Sequence, residues 1–211
     1  MKIYFIYSLL LLSIWMTTTG CAPTFSELQS ARLVGKNQLE VTPSYSSVSY
    51  HETGDNEKIQ NHYGFQAALG LMDKMDFRLR YEYVTVPQDE INVHLVGLGP
   101  KFSFIEDRFA GYFPVGFGFG EDIGQIAETW QIHPTLLGTI PFSNNVEFNP
   151  STKALIPFQK DQNVLFALNF GLGLSSDLTK WAIRPEYGFL FDPSQQGNFQ
   201  HFSIAVTITS K

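Results

Sequence analysis

The chain has 211 residues, of which 20 are acidic and 14 are Lys or Arg, and its formal net charge at pH 7 is −6. Nucleic-acid binding requires a basic face that neutralises phosphates, so this acidic balance argues against it. The length suits one folded domain, and no Pro-rich or Gly/Ser-rich linker divides the chain.

The chain begins with a segment typical of protein export. Lys2 precedes residues 3–16, which are almost all apolar. That run is long enough for the core of a signal peptide and too short to cross a bilayer as a helix. The small residues at 18–20 then precede Cys21, the only cysteine in the sequence.

This pattern resembles a bacterial lipoprotein signal, in which cleavage occurs before a cysteine that carries a diacylglyceryl group. The resemblance implies a signal peptide at 1–20, lipidation of Cys21 and a lead-in to the folded domain at 21–37. The alternative is an ordinary secretory signal that is cut near Gly20. It would leave Cys21 as a thiol with no disulfide partner in the chain.

Alternating hydrophobicity dominates the rest of the chain. In MDFRLRYEY, residues 75–83, apolar and charged side chains alternate strictly, as in a strand with one apolar face. Similar patterns predict about ten strands of roughly 11 to 15 residues each, whereas about five or six residues are usual. A tilted strand that crosses a bilayer needs about 9 to 11 residues. The predicted strands cover residues 38–51, 59–72, 75–86, 91–105, 108–119, 128–142, 145–157, 163–175, 180–191 and 199–209.

The predicted links between strands alternate in length. Tight turns at 73–74, 106–107, 143–145 and 175–180 alternate with more open polar links, the first of them at 53–58. Outer-membrane barrels have short periplasmic turns, longer outer loops and girdles of aromatic residues, and aromatic residues are 15% of this chain.

The mature chain as a whole therefore resembles the small outer-membrane β-barrel proteins of Gram-negative bacteria. The resemblance implies an all-β fold, an antiparallel up-and-down transmembrane barrel at 38–211. About ten strands are expected, with eight and twelve as alternatives. Both barrel termini would be periplasmic, and a lipid on Cys21 would lie in the inner leaflet of the outer membrane.

The inward positions of this predicted barrel carry charges of both signs. They include Arg78, Arg80, Glu82, Lys101, Glu147, Lys153, Arg184 and Glu186. Because an unpaired charge away from water is costly, we expect these groups to pair across the lumen. A barrel of this size would then be narrow or plugged, since an open porin needs more strands. The predicted role is structural, or the binding or passage of a small solute, with the lipid bilayer as the main partner.

Two other functions remain as alternatives. A lipid-tethered, lipocalin-like barrel would bind an apolar ligand inside and would turn the same charges outwards. A lipid-modifying hydrolase is suggested by His201 and Ser203, which lie on one strand face and resemble the site of outer-membrane lipid A deacylases. That site also needs an acid near the imidazole, for instance Glu186.

Other chemistry finds little support in the sequence. No histidines have the spacing of metal ligands, and Gly116 and Gly118 lie within an alternating strand rather than in a phosphate-binding loop. We therefore expect no metal, no cofactor and no enzymatic activity.

Overall fold

The computed structural model describes residues 23–52, 54–87, 91–120, 123 and 125–210. The predicted signal peptide at 1–20 and Cys21 lie outside these residues. Within them, one antiparallel sheet closes on itself as a barrel of ten strands. The last strand pairs with the first, from Thr209 opposite Glu40 to Asn198 opposite His51. The predicted fold class is confirmed.

In the described residues, 13 strand segments form these barrel strands, because the fifth and sixth strands are interrupted. In chain order they are β1 (Leu39–Glu52), β2 (Asp55–Met72), β3 (Met75–Val86), β4 (Ile91–Ile105), β5 (Phe109–Tyr112), β6 (Val115–Phe119), β7 (Gln131–Ile132), β8 (Thr135–Gly138), β9 (Ile140–Pro141), β10 (Val146–Pro157), β11 (Leu165–Leu174), β12 (Trp181–Phe191) and β13 (Asn198–Thr209). A 3-10 helix at Ile126–Thr129 lies between β6 and β7. No helix in the described part of the chain is long and apolar enough to cross a membrane.

Prolines account for two of the interruptions. Pro114 follows β5 and Pro134 follows β7, and proline has no N–H to donate to a strand ladder. Backbone bonds nevertheless bridge the breaks, from His133 N to Pro114 O at 2.9 Å and from Ala154 N to Pro134 O at 3.1 Å. The barrel wall therefore stays closed at these points.

The two ends of the barrel differ in their links. The end that we call the short-turn end carries the turns at 73–74, 106–108, 142–145 and 175–180. The barrel termini meet at this end, where Ser210 N donates to Leu39 O at 2.7 Å. The opposite end, the loop end, carries the links at 53–54, 87–90, 120–130, 158–164 and 192–197.

One predicted link was wrong. Residues 55–58 belong to β2 rather than to an open loop at 53–58, and Asp55 pairs directly with Glu52. Gly54 has a φ of +96°, a backbone conformation that glycine adopts readily. The tight turn that it permits lets the polar ends of both strands continue their ladder.

The two faces of the wall have opposite chemistry. Along β3, Asp76, Arg78 and Arg80 point inwards and are buried, whereas Phe77 and Leu79 point outwards and are exposed. Similar exposed apolar positions recur around the barrel, among them Leu98, Leu136, Phe166, Phe170, Ile183, Phe202, Ile204 and Val206. An apolar exterior around a polar lumen is the arrangement of a membrane-spanning barrel, and it is the reverse of the lipocalin-like alternative.

The lumen is filled by the chain's own N-terminal segment. Residues 23–34, which we call the plug, have no regular secondary structure, and residues 24–31 are all buried. The plug leaves the lumen at the short-turn end, where Asn37 N donates to Gly70 O at 2.8 Å. A Cβ atom on Gly70 would overlap the backbone of Gly35, so this exit requires glycine. The sequence predicts a lead-in here and gives no sign that it runs back through the barrel.

Candidate functional site

The structure places in the lumen the eight charged residues named for it in the sequence analysis. Each side chain is buried: Arg78, Arg80, Glu82, Lys101, Glu147, Lys153, Arg184 and Glu186. Some pair along or across the wall, such as Arg184 with Glu147 at 3.2 Å and Arg80 with Glu82 at 2.8 Å. Many of their remaining bonds go to the plug instead of across the lumen.

Glu186 holds the centre of the plug. Its two carboxylate oxygens accept hydrogen bonds from the backbone N–H groups of Glu27, at 2.7 Å, and Leu28, at 2.8 Å. Leu28 has a φ of +56°, a left-handed conformation that is strained for a bulky residue. Adjacent N–H groups with such a kink form a concave anion-binding site. The carboxylate therefore compensates for local strain and satisfies two buried donors.

Three further wall residues bind plug carbonyl groups around the same point. Gln66 donates to Glu27 O at 3.0 Å, and Asn169 donates to Phe25 O at 2.9 Å. Arg80 donates to both the carbonyl oxygen and the hydroxyl of Ser26. Since a buried backbone group without a partner costs about 1 to 3 kcal/mol, these side chains replace the strand neighbour that the plug lacks.

Lys101 anchors the part of the plug that lies between Glu186 and the short-turn end. Its ammonium group is completely buried and donates to Ser30 O at 2.7 Å and Arg32 O at 2.8 Å. Ala31, between them, donates its N–H to Thr139 Oγ1 at 2.7 Å. Nearer the short-turn end, Arg32 pairs with Glu147 at 3.0 Å. The plug is thus bound along its length.

Two plug side chains add specific contacts of their own. Glu27 forms a buried ion pair with Lys153 of β10. Phe25 is 1% exposed and packs edge-on against His201, with ring centroids 4.7 Å apart. Phe25 also contacts an apolar cluster of inward side chains near the loop end, which consists of Val48, Leu155, Ala167 and Leu190.

The His201–Ser203 pair has part of the geometry of a hydrolase. His201 Nδ1 lies 2.7 Å from Ser203 Oγ, and Nε2 lies 3.0 Å from Asn169 Oδ1. Because the Asn169 amide nitrogen donates to Phe25 O, its oxygen faces the imidazole and indicates that Nε2 carries the hydrogen. The nearest Glu186 oxygen is 3.7 Å from Nε2, beyond a hydrogen bond. Ser203 is fully buried on the lumen side of β13, away from lipid, and it also bonds Ser46 of β1.

A cavity of about 810 Å³ remains beside the plug. It is lined by Pro23 and Thr24 of the plug, and by Gln162 and Gln195 from two links at the loop end. At its rim, hydrogen bonds from Ser194 hold the pKa of Asp192 below its usual range. In the described residues, no group of three or more His, Cys, Asp or Glu side chains is arranged to hold a metal ion.

Sequence reasoning missed the plug because its residues carry no periodicity. Residues 23–34 mix polar and apolar side chains with no period of two or of 3.6, so they indicate neither a strand nor a helix. The available signal was indirect: long polar side chains such as Gln66, Arg80 and Lys101 occupy inward positions, and buried polar groups require partners. Phe25, Leu28 and Ala31 are almost completely buried, but the sequence alone does not show that these side chains are enclosed.

Comparisons with known proteins found likeness in architecture alone. No protein-family model matches the chain, and no curated protein matches it. Among solved structures, Ail, the attachment invasion locus protein of Yersinia pestis, is 10% identical; the match covers 83% of this chain and 99% of Ail, with a TM-score of 0.40. The translocator domain of the autotransporter NalP from Neisseria meningitidis is 8% identical, with 82% and 88% covered and a TM-score of 0.45. The chain is similar to these barrels in its fold, and likenesses at this level carry no argument about activity.

Proposed function

We propose that this protein is a lipid-anchored barrel of the Gram-negative outer membrane, with no enzymatic activity, whose lumen is closed by its own N-terminal segment. The carrying observation is the plug, which is buried from Thr24 to Ala31 and bonded to wall side chains along its length. The apolar exterior supports the membrane setting. The protein then acts as a closed structural barrel with a binding space at its loop end, and not as an open pore.

Conductance in planar lipid bilayers tests whether the plug closes the lumen. Ala31 is completely buried against Ala110, Tyr112 and Leu137, so Ala31→Trp leaves no room for a seated plug while the wall keeps its sequence. Lys36→Trp is the matched control, because Lys36 is exposed and follows the plug. We expect wild type and Lys36→Trp to stay closed and Ala31→Trp to conduct. A wild-type protein that conducts as well as Ala31→Trp would refute the proposal that the plug closes the lumen.

The membrane setting has a separate and simpler test. A closed membrane barrel usually stays folded in cold SDS and migrates differently after boiling. We expect this shift for the protein extracted from outer membranes. A protein that migrates identically with and without boiling, and that washes off membranes when Cys21 is replaced and an ordinary signal is supplied, would instead be a tethered soluble barrel.

The course of the plug supports a proposal about where a lipid on Cys21 emerges. Cys21 lies outside the described residues, but it precedes Pro23 by two peptide bonds, which span at most about 7 Å. Pro23 lines the cavity at the loop end. If the short-turn end is periplasmic, a seated plug is incompatible with the lipid position expected from the sequence, in the inner leaflet. We place the lipid at the outer face.

An epitope inserted between residues 22 and 23 tests this position. Antibody should label intact cells that carry the epitope there. An epitope added after Ser210, where the barrel ends at the short-turn end, should be labelled only after the outer membrane is permeabilised. The opposite pattern for the first epitope would mean that the segment stays on the periplasmic side, outside the lumen.

A further inference from the structure

The apolar band on the outer wall differs in height around the barrel. On β12, the outward side chains from the short-turn end to the loop end are all apolar or aromatic: Trp181, Ile183, Pro185, Tyr187, Phe189 and Phe191. On β13, the apolar outward side chains end after four positions: Ile208, Val206, Ile204 and Phe202. The next two outward positions on β13 are Gln200 and Asn198. Because Phe189 pairs with Gln200, the band is shorter on β13 than on the strand directly beside it.

The shorter band continues from β13 onto β1. The outward side chains of β1 from the short-turn end are Leu39, Val41, Pro43 and Tyr45, and the next one is Ser47. Ser47 pairs with Asn61 of β2, which also points outwards. We call the outer wall of β13 and β1, together with Asn61, the short face. β11 lies on the other side of β12 and has a tall band like β12, with Leu174, Leu172, Phe170, Leu168 and Phe166 pointing outwards.

The difference in height is large relative to a membrane. At about 3.3 Å per residue and a strand tilt of about 40°, successive outward positions lie about 5 Å apart along the barrel axis. The six positions on β12 then span about 25 Å, which is the usual height of the apolar band, and the four on β13 span about 15 Å. A tilt of the whole barrel moves the short face up or down but does not lengthen it. A bilayer that fits β12 therefore does not fit β13 and β1.

Two tyrosines indicate what meets the short face. A tyrosine has an apolar ring and a polar hydroxyl, and it is enriched where membrane meets water. Tyr45 and Tyr63 each lie one outward position nearer the short-turn end than Ser47 and Asn61, and their ring centroids are 5.5 Å apart. The Tyr45 hydroxyl donates to Asn61 Oδ1 at 2.8 Å, so it is directed towards the loop end. The membrane boundary indicated by these tyrosines is nearer the short-turn end than Phe191 on β12.

We propose that the short face binds the polar headgroup layer of the leaflet at the loop end and thins the bilayer beside β13 and β1. The thinning relative to the bilayer beside β11 and β12 is up to about 10 Å, and thinning is one way in which a bilayer accommodates an apolar stretch that is too short. The thin zone lies where the first and last strands of the barrel meet. This inference rests on the proposed membrane setting, which the gel-mobility shift in SDS tests separately.

Spin labels on single cysteines measure the depth of both faces in lipid vesicles. Ser47 and Phe166 are each the fifth outward position from the short-turn end of their strands. Ser47→Cys and Phe166→Cys, each combined with Cys21→Ser, carry one label in the otherwise full chain. We expect the label at 47 to collide mainly with a water-soluble nickel chelate, and the label at 166 mainly with oxygen dissolved in the hydrocarbon. Equal depth of the two labels would overturn the proposal.

The same labels distinguish lipid headgroups from a protein on the short face. Headgroups leave the label at 47 accessible to the nickel chelate. Protection of this label from both the chelate and oxygen would mean that a protein covers the short face, for instance a second copy of the chain. That result would also overturn the proposal.

Leu39→Cys and Leu174→Cys distinguish thinning from tilting. Leu39 and Leu174 are the first outward positions of β1 and β11 at the short-turn end. A tilt that lifts Ser47 out of the hydrocarbon also moves Leu39 deeper into it and Leu174 towards water. Thinning at the loop end leaves both labels at the interface, so we expect equal depths at 39 and 174. A label at 39 that lies deeper than the label at 174 would show a tilted barrel and refute the thinning.

Ser47→Leu combined with Gln200→Leu should reduce the mismatch, because it adds one apolar position to the band on each strand. We expect the double variant to be most stable in vesicles with longer acyl chains than those that suit the wild type. Gln195→Leu, in an exposed link at the loop end, is the matched control and should keep the wild-type preference. A double variant that keeps this preference would refute the thinning. If the protein still shows its gel-mobility shift in SDS, that result leaves the membrane setting intact.

Discussion

Glu186→Gln should open the barrel without disrupting its wall. The wild-type carboxylate accepts from two plug N–H groups, at 2.7 and 2.8 Å. Glutamine has nearly the same shape but one acceptor oxygen, and its NH₂ group would face the second N–H. The variant loses a charge-assisted hydrogen bond and leaves a buried donor unpaired.

The magnitude follows from these two losses. Hydrogen bonds to charged groups contribute about 1.5 to 3 kcal/mol, and an unsatisfied buried donor costs about 1 to 3 kcal/mol. Allowing for relaxation, we expect the free energy of plug seating to fall by about 2 to 4 kcal/mol. At about 1.4 kcal/mol per factor of ten, the ratio of seated to unseated plug drops by between one and a half and three orders of magnitude.

Single-channel recording in planar bilayers measures this ratio as the fraction of time spent open. Glu40→Gln is the matched control, because Glu40 is a lumen carboxylate that bonds Arg78, at 3.1 Å, and Thr209 on the wall. We expect frequent openings for Glu186→Gln and none above the wild-type level for Glu40→Gln. Equal open fractions in the two variants would refute the assignment of Glu186 as the main anchor of the plug.

Three further substitutions test the packing and the membrane setting. Gly188→Ala places a Cβ atom onto Asn169 and His201 and should lower the free energy of unfolding in urea by about 1 to 3 kcal/mol. Gly97→Ala places its Cβ atom in open space and should change the free energy of unfolding by less than about 1 kcal/mol. Equal effects of the two substitutions would contradict the packing around Gly188. Ile204→Arg, on the exposed outer wall, should lower the stability of the bilayer-inserted barrel by about 2 to 4 kcal/mol. Ile126→Arg, at a similarly exposed position in a loop-end link, should not lower it. Equal costs for the two variants would contradict the membrane setting. Phe25→Ala removes a buried ring from the plug, so the fraction of time that the variant spends open in bilayers should rise, while the barrel keeps its gel-mobility shift on boiling in SDS. An unchanged open fraction would mean that the ring does not help to seat the plug.

Much of the fold was predictable because strand periodicity is a local property. In residues 75–83, the alternation alone fixes which side chains share a face, and the structure places Arg78 and Glu82 inwards as a membrane barrel requires. The interruptions at Pro114 and Pro134 were not predicted, since the chain continues through them in the same direction. The extension of β2 through residues 55–58 was missed because polar residues near a glycine have the composition of a loop.

The plug could not be predicted in this way because its position depends on contacts between residues that are distant in sequence. Glu27 and Glu186 meet across a separation of 159 residues, and nothing in the local sequence of either one specifies the other. Sequence reasoning thus found the polar lining of the lumen and did not find what the lining binds.

The lining recognises mainly the backbone of the plug. Glu186, Gln66, Asn169 and Lys101 all bond plug N–H or C=O groups, which every residue except proline presents alike. Such recognition tolerates changes in most plug side chains while it requires one course of the backbone through the lumen, including the kink at Leu28. The buried charges of the wall therefore need not cancel one another exactly, because oriented backbone dipoles complete their coordination. A narrow barrel can in this way carry many buried charged side chains in a lumen that its own N-terminal segment occupies.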